Sequence, residues 1–477
     1  MSVYDYDLGV IGGGAAGLTV AAGAAQLGVK VLLIDKEHKL GGDCLHYGCV
    51  PSKTLIRSAR VRQLMGRAGD FGLPEVDLPP VDFAQVAARI KEVIDIIRVH
   101  DSVERFNSLG VEVRFGAPRF NDKHSVSLHG DRISARSWVI ATGSSPSAPP
   151  VKGLDETPYL TNVDVFSLQE LPKSLIVLGG GPIAVEMAQS FQRLGSEVTV
   201  IQRSNQILSR EDEDMARYVM GGMIEDGVRF ILGSRIHEVY RSGDGVAVRL
   251  ESGVKSMLVK GSQLLVAMGR SSNISGLGLK DISVKLERGS VAVDARMRTS
   301  VPNIYAAGDV TGKYRFTHAA GYEGGIVVSN AVFHLPRKAD YTWLPWCTYT
   351  DPELASVGMN EKAAQQAGIE YKTVIEEFSS SDRALAEGEA RGRIKLLLNK
   401  KGKPIGCQIA AVHAGELLSE WVAAVNGKVG LATLAGAVHP YPTLSEMNKK
   451  VAGKLLGEKL FSERVRSLLK LLFSYRG

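Results

Sequence analysis

A glycine-rich turn between a strand and a helix occurs twice in this chain, and it constrains the fold more than any other feature. The first copy consists of a strand, the turn GGGAAG, a helix of small residues and a second strand that ends in Asp35. Gly12, Gly14 and Gly17 allow the backbone to approach a pyrophosphate at the helix N-terminus, and the Asp35 carboxylate accepts hydrogen bonds from ribose hydroxyls. The pattern predicts a doubly wound α/β domain that binds a dinucleotide.

The second copy is the turn GGGPIA, in which Gly179 and Gly181 stand at the first and third positions. Asp35 lies 23 positions after the first glycine of its turn, and the same step in the second copy ends at Gln202, which Arg203 follows. A glutamine cannot repel a 2′-phosphate, and an arginine binds one well. We therefore expect NADPH rather than NADH at this second site, with NADH as the alternative. Two dinucleotide sites imply that electrons pass between two cofactors.

Two cysteines follow the first module closely, in the run GGDCLHYGCVPSK at residues 41–53. In a regular helix, the Cα atoms of residues five apart lie roughly 8 to 9 Å from each other. A disulfide allows at most about 7 Å, so the segment from Cys44 to Cys49 must bend. Pro51 favours the first turn of a helix, which places Cys49 near a positive helix end that favours a thiolate. We expect a reactive disulfide rather than a structural one.

This run resembles the redox motif of the class I pyridine nucleotide-disulfide oxidoreductases, and the likeness to mercuric reductase-like members is the greatest. The resemblance covers essentially the whole chain. It implies an FAD-dependent enzyme with two Rossmann-type nucleotide-binding domains and a C-terminal α+β dimerisation domain. It also implies that Cys44 exchanges with the substrate while Cys49 lies against the flavin. Lys53 then approaches the reactive edge of the flavin ring, and Glu186 pairs with Lys53.

The same resemblance assigns cofactor roles and domain boundaries along the chain. The further positions implied to contact FAD or the nicotinamide cofactor are Lys36, Gly42, Thr142, Gly143, Gly269 and Asp309. Asp309 stands in the second flavin motif, where an aspartate holds the ribityl chain. The implied segments are 1–147 and 271–340 for the FAD-binding domain, 148–270 for the NAD(P)H-binding domain and 341–477 for the dimerisation domain.

The dimerisation domain of this family completes the active site of the partner subunit, so a homodimer with shared active sites is expected. The relevant text here is HPYPTLSE at residues 439–446. Its alignment places Tyr441, rather than a histidine, at the acid/base position and Glu446 at the position that orients it. The alternative is that His439 reaches into the site. A tyrosine there resembles mercuric reductases, but the pair of adjacent cysteines that those enzymes carry near the C-terminus is missing from the last residues.

These observations predict an acceptor that is a small-molecule disulfide or a soft metal ion. The phenol of tyrosine, with an ordinary pKa of about 10, is a poor proton acceptor at neutral pH, which disfavours a dihydrolipoamide dehydrogenase. The missing cysteine pair disfavours a mercuric reductase. A third alternative is a non-enzymatic flavoprotein, or one that feeds electrons to a membrane partner.

Composition excludes several other classes of protein. The net charge of +6 comes from acids and bases that are interspersed, so no basic stripe indicates nucleic-acid binding. Four cysteines in 477 residues suit a reducing compartment, and Cys347 and Cys407 are expected in the core. A strand is expected from Val3 to Ile11, which leaves no room for a signal peptide, and we expect a cytoplasmic protein.

Two helical segments carry further expectations. Residues 84–109 are expected to form a helix whose apolar positions pack in the core, namely Val86, Ile90, Val93 and Ile97. The tail is expected to form a helix that Ser462 caps. Its apolar positions are Val465, Leu468, Leu469 and Leu472, and its basic positions are Arg464, Arg466, Lys470 and Arg476. Such a helix either seals the dimerisation domain or makes a peripheral contact with a membrane or a protein.

Overall fold

The structure is a computed structural model that describes residues 3–253 and 255–474. Two compact units make up the chain. The first unit comprises Met1–Gly179, Arg193–Glu197 and Ile236–Asp340, and the second comprises Gly180–Gln192, Val198–Arg235 and Tyr341–Gly477. The domain boundaries expected from the resemblance remain a prediction. In the described part of the chain, every helix is too short or too polar to traverse a lipid bilayer.

Strands and helices are mixed through the first two thirds of the chain. Up to residue 146 the elements are β1 (Tyr6–Ile11), α1 (Ala15–Ala25), β2 (Val31–Asp35), α2 (Gly42–His46), α3 (Cys49–Gly66), α4 (Phe83–Arg98), α5 (Val103–Ser108), β3 (Val111–Phe115), β4 (Arg119–Asp122), β5 (Ser125–Leu128), β6 (Asp131–Ile140) and β7 (Ser144–Pro146). The following elements are β8 (Ser174–Leu178), α6 (Pro182–Leu194), β9 (Glu197–Ile201), α7 (Glu213–Glu225), β10 (Arg229–Ile231), β11 (Ser234–Ser242), β12 (Gly245–Ser252), β13 (Lys255–Gly261), β14 (Gln263–Val266), β15 (Arg270–Ser272), β16 (Leu286–Glu287), β17 (Ser290–Val291), β18 (Ile304–Ala306) and α8 (Thr317–Ala331).

The last third of the chain continues with antiparallel strands and ends in helices. These elements are β19 (Pro345–Thr348), β20 (Glu353–Gly358), α9 (Glu361–Gln366), β21 (Tyr371–Glu377), α10 (Asp382–Ala386), β22 (Arg393–Asn399), β23 (Pro404–Ala411), α11 (Ala414–Asn426), α12 (Leu431–Gly436), α13 (Glu446–Leu460) and α14 (Glu463–Ser474).

The first unit is built on a sheet in the order β3-β2-β1-β6-β5-β4, with β18 paired to β6. The contacts β3-β2-β1-β6 are parallel. Val10 and Leu33 belong to one buried cluster with α1 and α8, whereas Ile11 and Ile34 belong to a second cluster. These strands are therefore covered on both faces, which explains their continuous apolar runs. The doubly wound arrangement predicted for the first glycine module is present.

The second glycine module contributes strands to both units. In the first unit β8 and β14 form a parallel pair, and in the second unit β9 and β10 form another. The remainder of the second unit is a five-stranded antiparallel sheet in the order β19-β20-β23-β22-β21. Helices α11 and α13 pack on this sheet, where Trp421 is fully buried and donates its indole N–H to Asn448 Oδ1 at 2.8 Å. The mixed α/β class with a C-terminal α+β domain agrees with the prediction.

A buried lysine lies at the centre of the second unit. Lys395, on β22, has no exposed surface, and its Nζ lies 2.8 Å from Asp212, 2.7 Å from Asp214 and 2.8 Å from Glu361. Burial alone would lower the pKa of Lys395, but its hydrogen bonds to the three carboxylates outweigh this effect and raise it. One ammonium group thus links the start of α7, the start of α9 and the sheet.

Four expectations about local structure were wrong in detail. The first strand begins at Tyr6 and not at Val3. Segment 84–109 is broken, because α4 ends at Arg98 and α5 begins after Ser102, whose hydroxyl caps it by accepting from Arg105 N. Of the apolar positions expected in the core there, only Ile90 is fully buried and the other three are half-buried. Cys407 is buried as expected, but Cys347 is only half-buried.

Candidate active site

The two cysteines lie on either side of a break between helices. Helix α2 ends at His46, and α3 begins at Cys49 after Gly48. A Cβ atom on Gly48 would lie 3.0 Å from the Asp43 carbonyl oxygen, so a side chain there would push the two helices apart. The expected bend is therefore present. Cys44 and Cys49 are joined by a hydrogen bond between their sulfur atoms and by no disulfide.

The groups around the two sulfur atoms differ in how well they stabilise a negative charge. Cys49 is the first residue of α3, and its Sγ lies 3.4 Å from the hydroxyl of Thr317, the first residue of α8. The positive ends of two helices thus meet at this sulfur and favour an anion there. The hydrogen bond to Cys49, together with burial, raises the pKa of Cys44 well above that of an ordinary thiol, although a hydrogen bond between Cys44 and the Thr317 hydroxyl opposes part of this rise. A single negative charge on the pair is therefore best placed on Cys49, with the proton on Cys44.

The first glycine turn is packed against the sheet on one side and open on the other. A Cβ atom on Gly12 would lie 2.3 Å from Ala141 O, and one on Gly17 would lie 1.8 Å from Gly12 O. Around Gly14 the nearest atom to such a Cβ is Gly42 Cα at 3.8 Å. Gly42 itself has a φ of 59°, which a side chain rarely adopts. The turn therefore leaves room for a pyrophosphate beside Gly14, as FAD requires.

The Asp35 carboxylate closes this turn at the end of β2. It accepts hydrogen bonds from Gly13 N and, at 2.8 Å, from Glu37 N. Burial raises the pKa of Asp35 above that of an exposed aspartate, although both backbone hydrogen bonds oppose the rise. The neighbouring Lys36 is exposed and forms a surface ion pair with Glu37 at 3.9 Å. Asp35 is thus held where the ribose of a bound dinucleotide would lie.

Two crossing segments of the first unit are tied together next to this turn. Thr142 donates its hydroxyl to Asn273 O at 2.6 Å, and Asn273 returns hydrogen bonds to Thr142 O at 2.9 Å and to Gly143 O at 3.0 Å. Gly269 accepts a hydrogen bond from Ser147 N at 3.1 Å. These two segments of the first unit are therefore fixed to each other.

Arg270 connects the cysteine segment to the second flavin motif, and sequence reasoning missed this role. Its guanidinium lies 3.1 Å from an oxygen of Asp43 and donates to both the hydroxyl and the carbonyl of Ser144 at 2.7 Å. Ser144 in turn donates to Asp309, the pKa of which burial raises. Asp43 immediately precedes Cys44 in the chain. Arg270 therefore braces the cysteine segment against the position expected to hold the ribityl chain.

The second glycine turn repeats the geometry of the first with a different side chain. A Cβ atom on Gly180 would lie 3.0 Å from Gln202 Cγ, just as one on Gly13 would lie 2.9 Å from an oxygen of Asp35. The Gln202 amide donates to Ser204 Oγ at 2.7 Å, and Arg203 beside it is exposed. The register inferred from the 23-residue step is thus observed in the structure.

The two ends of this turn differ in the space around them. A Cβ atom on Gly179 would lie 2.5 Å from Ala267 O, so the backbone there is closely packed. Around Gly181, the position equivalent to Gly14, no atom lies within 4 Å of such a Cβ. The open side of the second turn has room for the phosphates of a nicotinamide cofactor.

Lys53 and Glu186 belong to different units, so their expected pairing remains a prediction. Lys53 is half-buried on α3, one turn after Cys49. Glu186 is buried on α6 and accepts a hydrogen bond from Tyr349 N at 2.9 Å.

Of the three candidate residues from the C-terminal segment, only Tyr441 is strongly exposed, at 71%. Its hydroxyl donates to Asp382 at 2.9 Å, and that contact raises the pKa of Tyr441. His439 is turned the other way, with Nε2 at 3.0 Å from Glu420 and Nδ1 at 3.4 Å from Ala437 O. Glu446, at the start of α13, accepts a long 3.4 Å hydrogen bond from Thr443 N. Tyr441 is therefore the side chain best placed to reach another subunit.

Known proteins resemble this chain along most of its length. Mercuric reductase of Streptomyces lividans is 35% identical over 454 residues, which cover 94% of this chain and 95% of that protein. Dihydrolipoyl dehydrogenase of Chlamydia muridarum is 34% identical over 450 residues, covering 93% and 95%. The solved structure of the Cu(II) complex of the HOCl-induced flavoprotein disulfide reductase RclA from Escherichia coli is also similar, with a TM-score of 0.85 at 27% identity over 94% of this chain and 99% of that one.

The family comparison agrees with the geometry of both units. The model of the pyridine nucleotide-disulphide oxidoreductases matches residues 6–324, and that of their dimerisation domain matches residues 344–452, which supports a homodimer. The first match contains both glycine turns and the cysteine pair, and the second contains Tyr441. Since the two matches leave little of the fold unaccounted for, this chain belongs to the pyridine nucleotide-disulphide oxidoreductases, a family of flavoproteins that use FAD and NAD(P)H.

Proposed function

We propose that this protein transfers electrons from NADPH, through FAD, to the Cys44-Cys49 disulfide and from there to a disulfide or a soft metal ion. The observation that carries this proposal is the asymmetry of the thiol pair. Cys49 lies at two helix N-termini beside the Thr317 hydroxyl, while Cys44 keeps the proton. Such an arrangement separates a stabilised thiolate from an exchanging thiol. A cytoplasmic location of the protein remains a prediction from its cysteine content.

The residues around the pair fit a flavin. The open side of Gly14 would accept its pyrophosphate, Asp35 its ribose and Asp309 its ribityl chain. A bound flavin accepts hydride from the nicotinamide and passes two electrons to a disulfide. Arg270 keeps Asp43 and Asp309 in fixed positions, and through Asp43 it restrains the backbone next to Cys44.

Thiol–disulfide exchange accounts for the transfer to a disulfide substrate. After losing its proton, Cys44 attacks one sulfur of the substrate; the substrate S–S bond breaks, and the first leaving thiolate takes up a proton. The Cys49 thiolate then attacks the Cys44 sulfur, and the bond between Cys44 and the substrate breaks. The second substrate thiolate leaves and takes up a proton from water, and the Cys44-Cys49 disulfide forms again. The two electrons lost by the cysteine pair are those gained by the substrate.

The position of Tyr441 favours a soft metal ion over an ordinary disulfide as the acceptor. General acid/base catalysis by a positioned group typically contributes 10² to 10⁴-fold in rate, and a tyrosine with a raised pKa is a weak base at neutral pH. A soft cation binds thiolates without needing a proton donor. His439 is half-buried and bonded to Glu420, so it is not poised to substitute. Mercuric ion is the acceptor that we favour, and lipoamide is the second candidate.

The central experiment follows the thiolate by absorption. NADPH reduction of the FAD-loaded protein should produce a long-wavelength charge-transfer band that depends on the Cys49 thiolate. The band should be absent from Cys49→Ser, with FAD still bound. Cys44→Ser is the matched control, since it leaves the Cys49 thiol free beside oxidised FAD and should show the band before NADPH is added. Persistence of the band in Cys49→Ser would contradict the role assigned to that residue.

A further inference from the structure

The last helix of the described chain presents an apolar face that its own unit leaves uncovered. No residue of α14 is buried. Its apolar side chains are Val465, which is half-buried, and Leu468, Leu469, Leu471, Leu472 and Phe473, which are between 43% and 65% exposed. Leu460 and Phe461, just before the helix, are also more than 60% exposed. The match to the family's dimerisation domain ends at residue 452, so α14 lies outside that shared domain.

The charged residues of α14 are arranged around this face. At about 100° per residue, the apolar positions occupy one side of the helix. Arg466 lies on one edge of the apolar side, Arg464 lies near the other edge between Leu468 and Leu471, and Lys470 lies on the polar side together with Glu463. Arg476, also expected in this helix, lies outside the described residues. Three basic residues are thus opposed by one acidic residue. Cations that border an apolar face are typical of helices that lie in the plane of an anionic lipid surface.

We propose that α14 docks this protein on an anionic lipid surface. The helix would lie flat, with its apolar face among the acyl chains and its arginines at the headgroups. Its 12 residues extend about 18 Å, far less than the roughly 30 Å of a bilayer core, so insertion along the surface is the geometry that its length permits. Pairing of α14 with a second copy would bring two helices of net positive charge together, whereas anionic headgroups neutralise them. The inference is independent of the electron acceptor.

Vesicle binding of the full-length, FAD-loaded protein tests this proposal. The protein should float with vesicles made of equal amounts of phosphatidylcholine and phosphatidylglycerol. It should bind weakly to phosphatidylcholine alone, and high salt should release it. Replacing Arg464, Arg466 and Lys470 together with Gln should weaken binding to the anionic vesicles on the order of 100-fold. The double variant Leu468→Glu, Leu472→Glu should abolish it.

Two controls separate this surface from net charge and from self-association. Replacing three exposed lysines elsewhere, Lys260, Lys280 and Lys401, with Gln removes the same charge and should leave binding unchanged. NADPH-dependent reduction of the flavin should be the same in all variants. Equal vesicle binding by the wild type and by the Leu468→Glu, Leu472→Glu variant would overturn the proposal. The proposal would also be overturned if the wild type failed to bind anionic vesicles. A smaller oligomer for the Leu468→Glu, Leu472→Glu variant would then show that the face is a contact between copies.

Discussion

Gln202 stands where its counterpart Asp35 stands in the first glycine module, and each faces the second glycine of its own turn. A carboxylate at this place binds the two ribose hydroxyls and repels a 2′-phosphate. An amide binds the hydroxyls less well and does not repel the phosphate. The Gln202 amide is already bonded to Ser204, and the adjacent Arg203 is exposed. We therefore expect the choice between NADPH and NADH to depend on Arg203.

Replacing Arg203 with Ala should lower kcat/KM for NADPH by roughly 10- to 100-fold, because a charged hydrogen bond to the 2′-phosphate is lost. The value for NADH should change little. Arg229→Ala is a suitable control: Arg229 is also exposed, but it pairs in register with Thr199, three residues before Gln202. Steady-state kinetics with both cofactors decide the matter, and equal losses for the two would refute the assignment.

Sequence reasoning identified the thiols and glycines because their chemistry depends on neighbours in the chain. The bend between Cys44 and Cys49 followed from helix geometry alone. Thr317 and Arg270 were missed for the opposite reason, since Thr317 meets a sulfur 268 positions away and Arg270 meets a carboxylate 227 positions away. Neither the dipeptide Thr317-His318 nor the dipeptide Gly269-Arg270 carries a local sequence signal of such contacts. The side-chain contact between His439 and Glu420 on α11 could not be predicted from the sequence either.

At the scale of elements, apolar spacing predicted helices better than it predicted their ends. Segment 84–109 has a helical pattern, yet Ser102 starts a separate helix by capping α5. Serine is a preferred N-cap residue, because its hydroxyl can accept a hydrogen bond from the backbone N–H three residues later. The start of α5 could therefore have been predicted from Ser102. The cluster around Lys395 was not, because its three carboxylates come from two distant parts of the chain.

Lys395→Met should destabilise the protein by about 3 to 5 kcal/mol, because it leaves buried carboxylates without their counter-charge. Burial alone would raise the pKa of Asp214, but the hydrogen bond and charge of Lys395 outweigh it and lower this pKa. That stabilisation is present above the unfolded pKa of aspartate and is lost as pH falls through the folded one. The difference between variant and wild type should therefore shrink in acid.

Chemical denaturation of the two proteins at neutral and acidic pH measures this difference. Lys400→Met is the matched control, since Lys400 pairs with Glu370 at 2.8 Å while both side chains are more than 70% exposed. Such a surface pair contributes at most about 1 kcal/mol. If Lys395→Met were no more destabilising than Lys400→Met, the cluster would have no role in holding α7 and α9 to the sheet.

For the whole molecule, the resemblance predicts a dimer in which residues of one subunit enter the active site of the other. Tyr441 is exposed in its own subunit and is oriented by Asp382. Hybrid dimers can test this sharing, because a C2 dimer has two equivalent sites. One subunit would carry Cys44→Ser and the other Tyr441→Ala.

If sites are shared, such a hybrid contains one site with both defects and one intact site. It should then retain about half of the wild-type rate of mercuric ion reduction, well above both parental homodimers. If Tyr441 serves its own subunit, every site of the hybrid is defective, and the rate should not exceed that of the Tyr441→Ala homodimer. His439→Asn is the control that replaces Tyr441→Ala. The His439→Asn homodimer should reduce mercuric ion at a rate near that of the wild type.

The short distance in sequence between the two cysteines has a consequence for how the stability of the fold responds to oxidation and reduction. A disulfide that closes so small a loop restricts the unfolded chain less than one that closes a long loop, so it contributes comparatively little to the persistence of the fold. Helices α2 and α3 are fully formed with the thiols unlinked. The bond that the proposed turnover makes and breaks is thus not one on which the fold depends, so we expect the fold to persist through repeated cycles of oxidation and reduction.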